Sequence, residues 1–62
     1  MKATVEYRKK FDPSPLYEEK VFDLPESAFN FSIPIIERKE MVEGIVSFAL
    51  GMSVLVRDYK RI

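Results

Sequence analysis

The side chains that most often perform catalysis are scarce in this chain of 62 residues, which contains neither histidine nor cysteine. General acid–base catalysis most often uses histidine, and covalent catalysis most often uses a serine or cysteine beside a base. The serines lie in no nucleophile-elbow or Ser-x-x-Lys pattern, and two glycines are too few for a glycine-rich phosphate loop. We therefore predict a protein that is not an enzyme and that uses no cofactor.

Three glutamates, Glu37, Glu40 and Glu43, follow one another at spacings of three. Without histidine or cysteine, only oxygen ligands are available to a metal ion, and on a helix these carboxylates would lie along one side. Arg38 and Lys39 stand among them, however, and charged residues opposite an apolar stripe are typical of an amphipathic helix. We interpret the glutamates as a solvated helix face and predict no metal site.

Basic residues at the two ends of the chain carry the most suggestive functional signal. The ten basic and ten acidic residues cancel overall, but residues 1–11 and 44–62 are basic whereas residues 12–43 are acidic. If the first and last strands are neighbours in a sheet, phosphate-binding cations and stackable rings would converge. The predicted nucleic-acid patch consists of Arg8, Lys9, Lys10, Arg57, Lys60, Arg61, Tyr7 and Tyr59. The alternative is that these charges only confer solubility and protect strand edges.

The first half of the chain has the two-residue period of β-strands. Apolar and polar residues alternate over residues 2–11, and the Asp-Pro-Ser-Pro segment at 12–15 then predicts a turn. Residues 16–24 alternate less regularly and predict a second strand. Residues 29–35 alternate most clearly and predict a third strand, in which Pro34 favours an edge position.

The second half of the chain changes period. From Glu37 onwards apolar residues recur at spacings of three and four, which predicts a helix with an apolar stripe at positions 41, 42, 45, 46, 48 and 49 that ends near Gly51. Residues 52–60 predict a last strand, apolar on both faces at its start and therefore central. If Glu43-Gly44 were instead a turn, the chain would form an all-β, SH3-like small barrel.

These elements define the expected fold. We predict a single α+β domain over residues 1–62, in which a small antiparallel sheet, in the order β-β-β-α-β along the chain, packs on one helix. The chain is too short for a second domain, and so small a core leaves stability marginal unless partner subunits contribute.

The uncharged run from Gly44 to Val56 is the longest in the chain, at 13 residues. A bilayer-spanning helix needs about 20, so we interpret the run as a folding core. Its apolar groups exceed what one sheet and one helix can cover, which predicts a homo-oligomer, most simply a two-fold dimer. The residues predicted to form core or oligomer interface are Ile45, Val46, Phe48, Leu50, Met52, Val54, Leu55 and Val56.

The expected function is a non-catalytic, oligomeric module that binds itself and an unidentified protein partner. The alternative is a nucleic-acid-binding regulator that uses the basic terminal strands, and a third possibility is a subunit that completes an enzyme site in a larger complex. Charges at residues 6–10 interrupt any signal-peptide pattern, so we expect a cytoplasmic protein that does not bind membranes.

Overall fold

The structure, a computed structural model, describes all 62 residues as a three-stranded sheet beside one long helix. The elements along the chain are β1 (Lys2–Lys9), β2 (Glu18–Asp23), a 3₁₀ helix (Glu26–Phe29), α1 (Ile35–Leu50) and β3 (Val54–Arg61). The sheet order is β2-β1-β3, and both neighbouring pairs are antiparallel. The predicted α+β class is confirmed, and the alternative of an SH3-like barrel is wrong because residues 43–50 are helical.

Strand β1 is the centre of the molecule. Its odd-numbered residues Ala3, Val5 and Tyr7 are buried, whereas the side chains between them are half-buried, as the two-residue period predicts. Two buried residues of α1, Val42 and Val46, belong to the same core cluster. The full core is small, with nine buried residues: Ala3, Val5, Tyr7, Leu24, Ala28, Val42, Val46, Val54 and Val56.

Helix α1 begins and ends where local chemistry requires. Pro34 occupies the N-cap position with extended backbone, and its fixed φ favours the start of a helix at Ile35. At the other end Gly51 adopts the left-handed conformation, with φ of 68°, and donates its N–H to the carbonyl of Ser47. The predicted apolar stripe is narrower than expected, since Phe48 and Ala49 face solvent.

The predicted third strand at residues 29–35 is wrong. Phe29 ends the 3₁₀ helix, residues 31–32 form a turn, and the α-helix has begun by Ile35. Asn30 explains the difference, because its side-chain oxygen accepts the N–H of Ser32 and its carbonyl accepts the N–H of Ile33. These local bonds replace a strand ladder, and the alternation of apolar residues here does not reflect a sheet.

The prediction that the last strand is central is also wrong, because β3 lies at an edge of the sheet. Helix α1 covers part of that edge as well as one face. The backbone N–H groups of Val54 and Val56 donate to Ser47 Oγ at 3.2 Å and Glu43 Oε2 at 2.8 Å. On the other face Leu55 is only half-buried. Because α1 covers the start of β3, the strand is as apolar there as a central strand, although β1 is the only strand that pairs with it.

The two glycines predict opposite responses to the same substitution. A methyl group on Gly44 would meet no atom within 4 Å, so Gly44→Ala should raise the free energy of unfolding by about 0.5–1 kcal/mol through helix propensity. Gly51→Ala should lower it by about 1–2 kcal/mol, because alanine is strained at φ of 68°. Urea denaturation at one protein concentration measures the free energy of unfolding of both variants. A change of the same sign in the two variants would contradict this account of the helix.

Candidate functional site

The strand register decides where the predicted basic patch lies. In the antiparallel β1–β3 pair, Thr4 lies opposite Lys60, whereas Lys9 lies opposite Val54. At about 3.3 Å per residue, the two positions on β1 are roughly 17 Å apart. We call the end with Lys60 the terminus end and the end with Lys9 the loop end. The expectation that the basic residues converge is wrong, because an antiparallel pair brings the end of one strand beside the start of the other.

Two members of the predicted patch are already engaged elsewhere. Arg57 lies at the irregularity in the β1–β3 register, where its guanidinium forms an ion pair with Glu6 and lies 4.3 Å from the centre of the Tyr17 ring. Tyr7 is buried, with 1% of its surface exposed, so its ring cannot stack on a base. Of the cations at the loop end, Lys10 lies over Phe11, at 5.7 Å from the ring centre.

Three other members of the patch, Tyr59, Lys60 and Arg61, line a groove at the terminus end. This terminus-end groove has a volume of about 520 Å³ and lies where the end of β3 meets the start of α1 and the segment before it. Its lining residues are Phe29, Phe31, Ile35, Arg38, Asp58, Tyr59, Lys60 and Arg61.

Sequence reasoning missed Arg38, Phe31 and Ile35 as members of the groove. It placed Arg38 on a solvated helix face and the two apolar residues in a strand. Only the observed turn before α1 brings them opposite β3. A signal in the sequence was nevertheless present, since Pro34 before Ile35 is typical of a helix start.

Aromatic and cationic side chains are fixed together in the terminus-end groove. The Phe29 and Tyr59 rings meet edge to face, with centres 5.6 Å apart, and the Tyr59 hydroxyl donates to the carbonyl of Ala28. This bond ties the 3₁₀ helix to β3. Arg38 Nε donates to the carbonyl of Ile33 at 2.9 Å, and its guanidinium carbon lies 4.9 Å from the centre of the Phe31 ring.

The charge of the terminus-end groove distinguishes it from a second groove at the loop end. Among the lining residues of the terminus-end groove, Arg61 lies opposite buried Ala3, so its guanidinium shares the sheet face of α1 and Arg38. Lys60 and Asp58 lie opposite Thr4 and Glu6 and project from the other face, where their charges balance. The terminus-end groove therefore presents two guanidinium groups. The loop-end groove, of about 280 Å³, has two cations, Arg8 and Lys9, balanced by the carboxylates of Asp12 and Glu18. Only the terminus-end groove is therefore suited to an anion.

The three glutamates of α1 do not form a common site. Glu37 and Glu40 are exposed, as a solvated face requires, but Glu43 is half-buried and accepts the N–H of Val56. No group of three or more acidic side chains in the structure is arranged to hold a metal ion. The interpretation as a solvated face thus applies to Glu37 and Glu40, while Glu43 secures β3.

Three side chains have shifted pKa values, and none lies in the terminus-end groove. Burial, reinforced by the nearby carboxylate of Glu18, raises the pKa of the Tyr7 hydroxyl. A hydrogen bond from the Met1 ammonium group lowers the pKa of Asp23. The hydrogen bond to Glu6 raises the pKa of Arg57. These shifts reflect the packing and pairing of the fold rather than a reactive centre.

The residues predicted as core or interface divide into three groups. Val46, Val54 and Val56 are buried within the protomer, and Ile45, Leu50 and Leu55 are half-buried. Phe48 and Met52 are exposed, by 91% and 40%. These last two are the most accessible of the eight to a partner.

Comparison with known proteins gives no significant match to a protein-family model, to a curated protein or to a solved structure. No helix in the structure combines the length and apolar character that crossing a membrane would need. Any inference about function therefore depends on the surfaces described above.

The bond from Val56 to Glu43 generates a stability prediction. Glu43→Ala should lower the free energy of unfolding by about 1–3 kcal/mol, because the half-buried N–H of Val56 loses a charged acceptor. Glu40→Ala, at an exposed position one turn earlier, is the matched control and should change it by less than about 0.5 kcal/mol. Equal effects in urea denaturation would show that Glu43 contributes only as a surface charge.

Proposed function

We propose that the protein is a non-catalytic interaction module that self-associates, most simply as a two-fold dimer, through apolar side chains at its loop end. The observation that carries this proposal is Phe48, which projects from the last turn of α1 with 91% of its surface exposed. A phenylalanine in this position gains substantially from being covered, since burying an aromatic side chain removes a large apolar area from water.

Phe48 does not stand alone at the loop end. We define the loop-end apolar surface as Phe48, Met52, Phe11 and Leu16, of which the last two are 85% and 76% exposed. The N–H of Lys10 donates to the carbonyl of Ser53 at 3.0 Å, which joins the β1–β2 loop to the α1–β3 turn. Exposed apolar groups gathered at one end of a small protein typically mark an interface.

A second copy of the chain is the partner that the composition favours. Only nine of 62 residues are buried, and chains of this length often gain stability from oligomerisation. The formal net charge is zero, so two copies approach each other without net electrostatic repulsion. A two-fold axis through the loop-end apolar surface would cover the same residues on both copies.

Other partners are less favoured by the observed geometry. An unidentified protein could use the same apolar surface, and dimerisation would then compete with that binding. The alternative of a nucleic-acid-binding regulator loses its main support, because the six cations do not form one patch. A cytoplasmic location remains a prediction from the sequence.

Light scattering after size-exclusion chromatography, over a dilution series, tests self-association. At high concentration the wild-type chain should give a mass of at least twice the 7.3 kDa of the single chain. Phe48→Gln should shift the mass to that of the single chain. Ile36→Gln is the control, because Ile36 lies on the same helix near the other end, is 67% exposed and undergoes the same kind of change.

Two results would contradict self-association through this surface. The first is a wild-type mass of 7.3 kDa across the whole dilution series. The second is equal dissociation by Phe48→Gln and Ile36→Gln, which would place the interface elsewhere on α1 or along its whole length.

A further inference from the structure

We propose that the terminus-end groove binds one phosphorylated nucleoside, with its phosphate held by Arg38 and Arg61 and its base stacked on Phe31. This inference is independent of self-association, because the groove lies at the opposite end of the molecule from Phe48. It concerns a ligand of mononucleotide size rather than a long strand laid across the sheet.

The size of the groove is the first argument. Pockets for small ligands usually have volumes of about 300–1,000 Å³, and about 520 Å³ falls well within this range. The loop-end groove, at about 280 Å³, lies at its lower limit. The terminus-end groove is therefore the better candidate for a small organic ligand.

The cations of the groove are available to an anion. Arg61 forms no ion pair in the structure. Arg38 donates through Nε to the carbonyl of Ile33, which fixes the plane of the guanidinium while its terminal N–H groups make no hydrogen bond. A positioned guanidinium with unused donors suits the bidentate recognition of phosphate.

The aromatic part of the groove provides a surface for a flat ring. Phe31 is 84% exposed, and the guanidinium of Arg38 lies 4.9 Å from its centre. Most of the ring therefore remains accessible. Bases stack on exposed aromatic side chains with little sequence preference, and a neighbouring arginine strengthens such stacking.

The charge balance selects a phosphate monoester carrying a ring over simpler ligands. A phosphate monoester has a charge of about −1.5 to −2 at neutral pH, which matches the two guanidinium groups of Arg38 and Arg61. A purely apolar ligand would leave these cations unused. A simple anion would leave Phe31 exposed. A phosphorylated nucleoside satisfies both parts of the groove.

Titration calorimetry at low salt, with three probes, tests whether both parts are used. Adenosine monophosphate carries base and phosphate, ribose 5-phosphate carries only the phosphate, and adenosine carries only the base. We expect adenosine monophosphate to bind at least about tenfold more tightly than either partial probe, with affinity that falls as salt rises. Undetectable binding of adenosine monophosphate, or equal binding of ribose 5-phosphate, would overturn the proposal.

Matched pairs of variants locate the site. Arg61→Gln should weaken adenosine monophosphate binding at least about tenfold, whereas Lys9→Gln, with the same loss of charge at the loop end, should leave it unchanged. Phe31→Ala should weaken binding at least about fivefold. Phe11→Ala removes an equally exposed ring beside Lys10 and should have no effect. Equal losses within either pair would contradict binding in this groove.

The same chemistry could come from a free nucleotide or from the end of a nucleic-acid strand. A short oligonucleotide with a 5′ phosphate, titrated beside adenosine monophosphate, distinguishes these two sources. Weaker or equal binding of the oligonucleotide assigns the groove to the free nucleotide, and tighter binding that still requires the 5′ phosphate assigns it to a strand end. Binding that is independent of the 5′ phosphate and grows with strand length would overturn recognition of a single phosphorylated nucleoside.

Discussion

The antiparallel pairing of β1 with β3 is the constraint on which the rest of this structure depends. Strand β1 forms the centre of the sheet, and the buried residues Ala3, Val5 and Tyr7 supply a third of the core. The direction of β3 beside it then determines which residues meet. The basic end of β1 lies beside the apolar start of β3, and the basic end of β3 lies beside the start of β1. The two ends of the molecule thus acquire different chemistry.

Helix α1 supports this arrangement, because it covers the first part of the edge that β3 would otherwise expose. Glu43 and Ser47 accept backbone N–H groups that have no partner strand. Unpaired strand edges promote aggregation, and covering them with a helix is one of the ways in which proteins avoid it. The opposite edge, β2, is protected differently, since four of its six residues are charged. Association is therefore expected through side chains at the loop end rather than through a strand edge.

Much of the fold could be predicted from the sequence, because periodicity and capping residues act locally. The alternation of β1, the spacing within α1 and Gly51 at its end all reflect short-range physics. The failures lie where local patterns compete. Phe29 to Ile35 alternates like a strand, but Asn30 and Pro34 favour a turn and a helix start. Likewise β3 resembles a central strand because a helix covers part of its edge. The residues of β3 alone do not reveal that the cover is a helix rather than a second strand.

The terminus-end groove could be only partly predicted for a related reason. Tyr59, Lys60 and Arg61 were identifiable as a basic, aromatic segment, but their neighbours depend on strand direction. Arg38 and Phe31 reach the groove because the turn before α1 brings them opposite β3, a contact between residues about twenty or more positions apart. Such long-range placement follows from topology rather than from any local pattern.

The central claim is that the two ends of the molecule have separate roles, and amide chemical shifts test it most directly. In ¹H–¹⁵N correlation spectra, dilution should move the signals of Phe48 and Met52, while adenosine monophosphate should move those of Phe31, Arg38 and Arg61. The two sets of signals should not overlap. Movement of the same amides in both series, or none in either, would contradict the account.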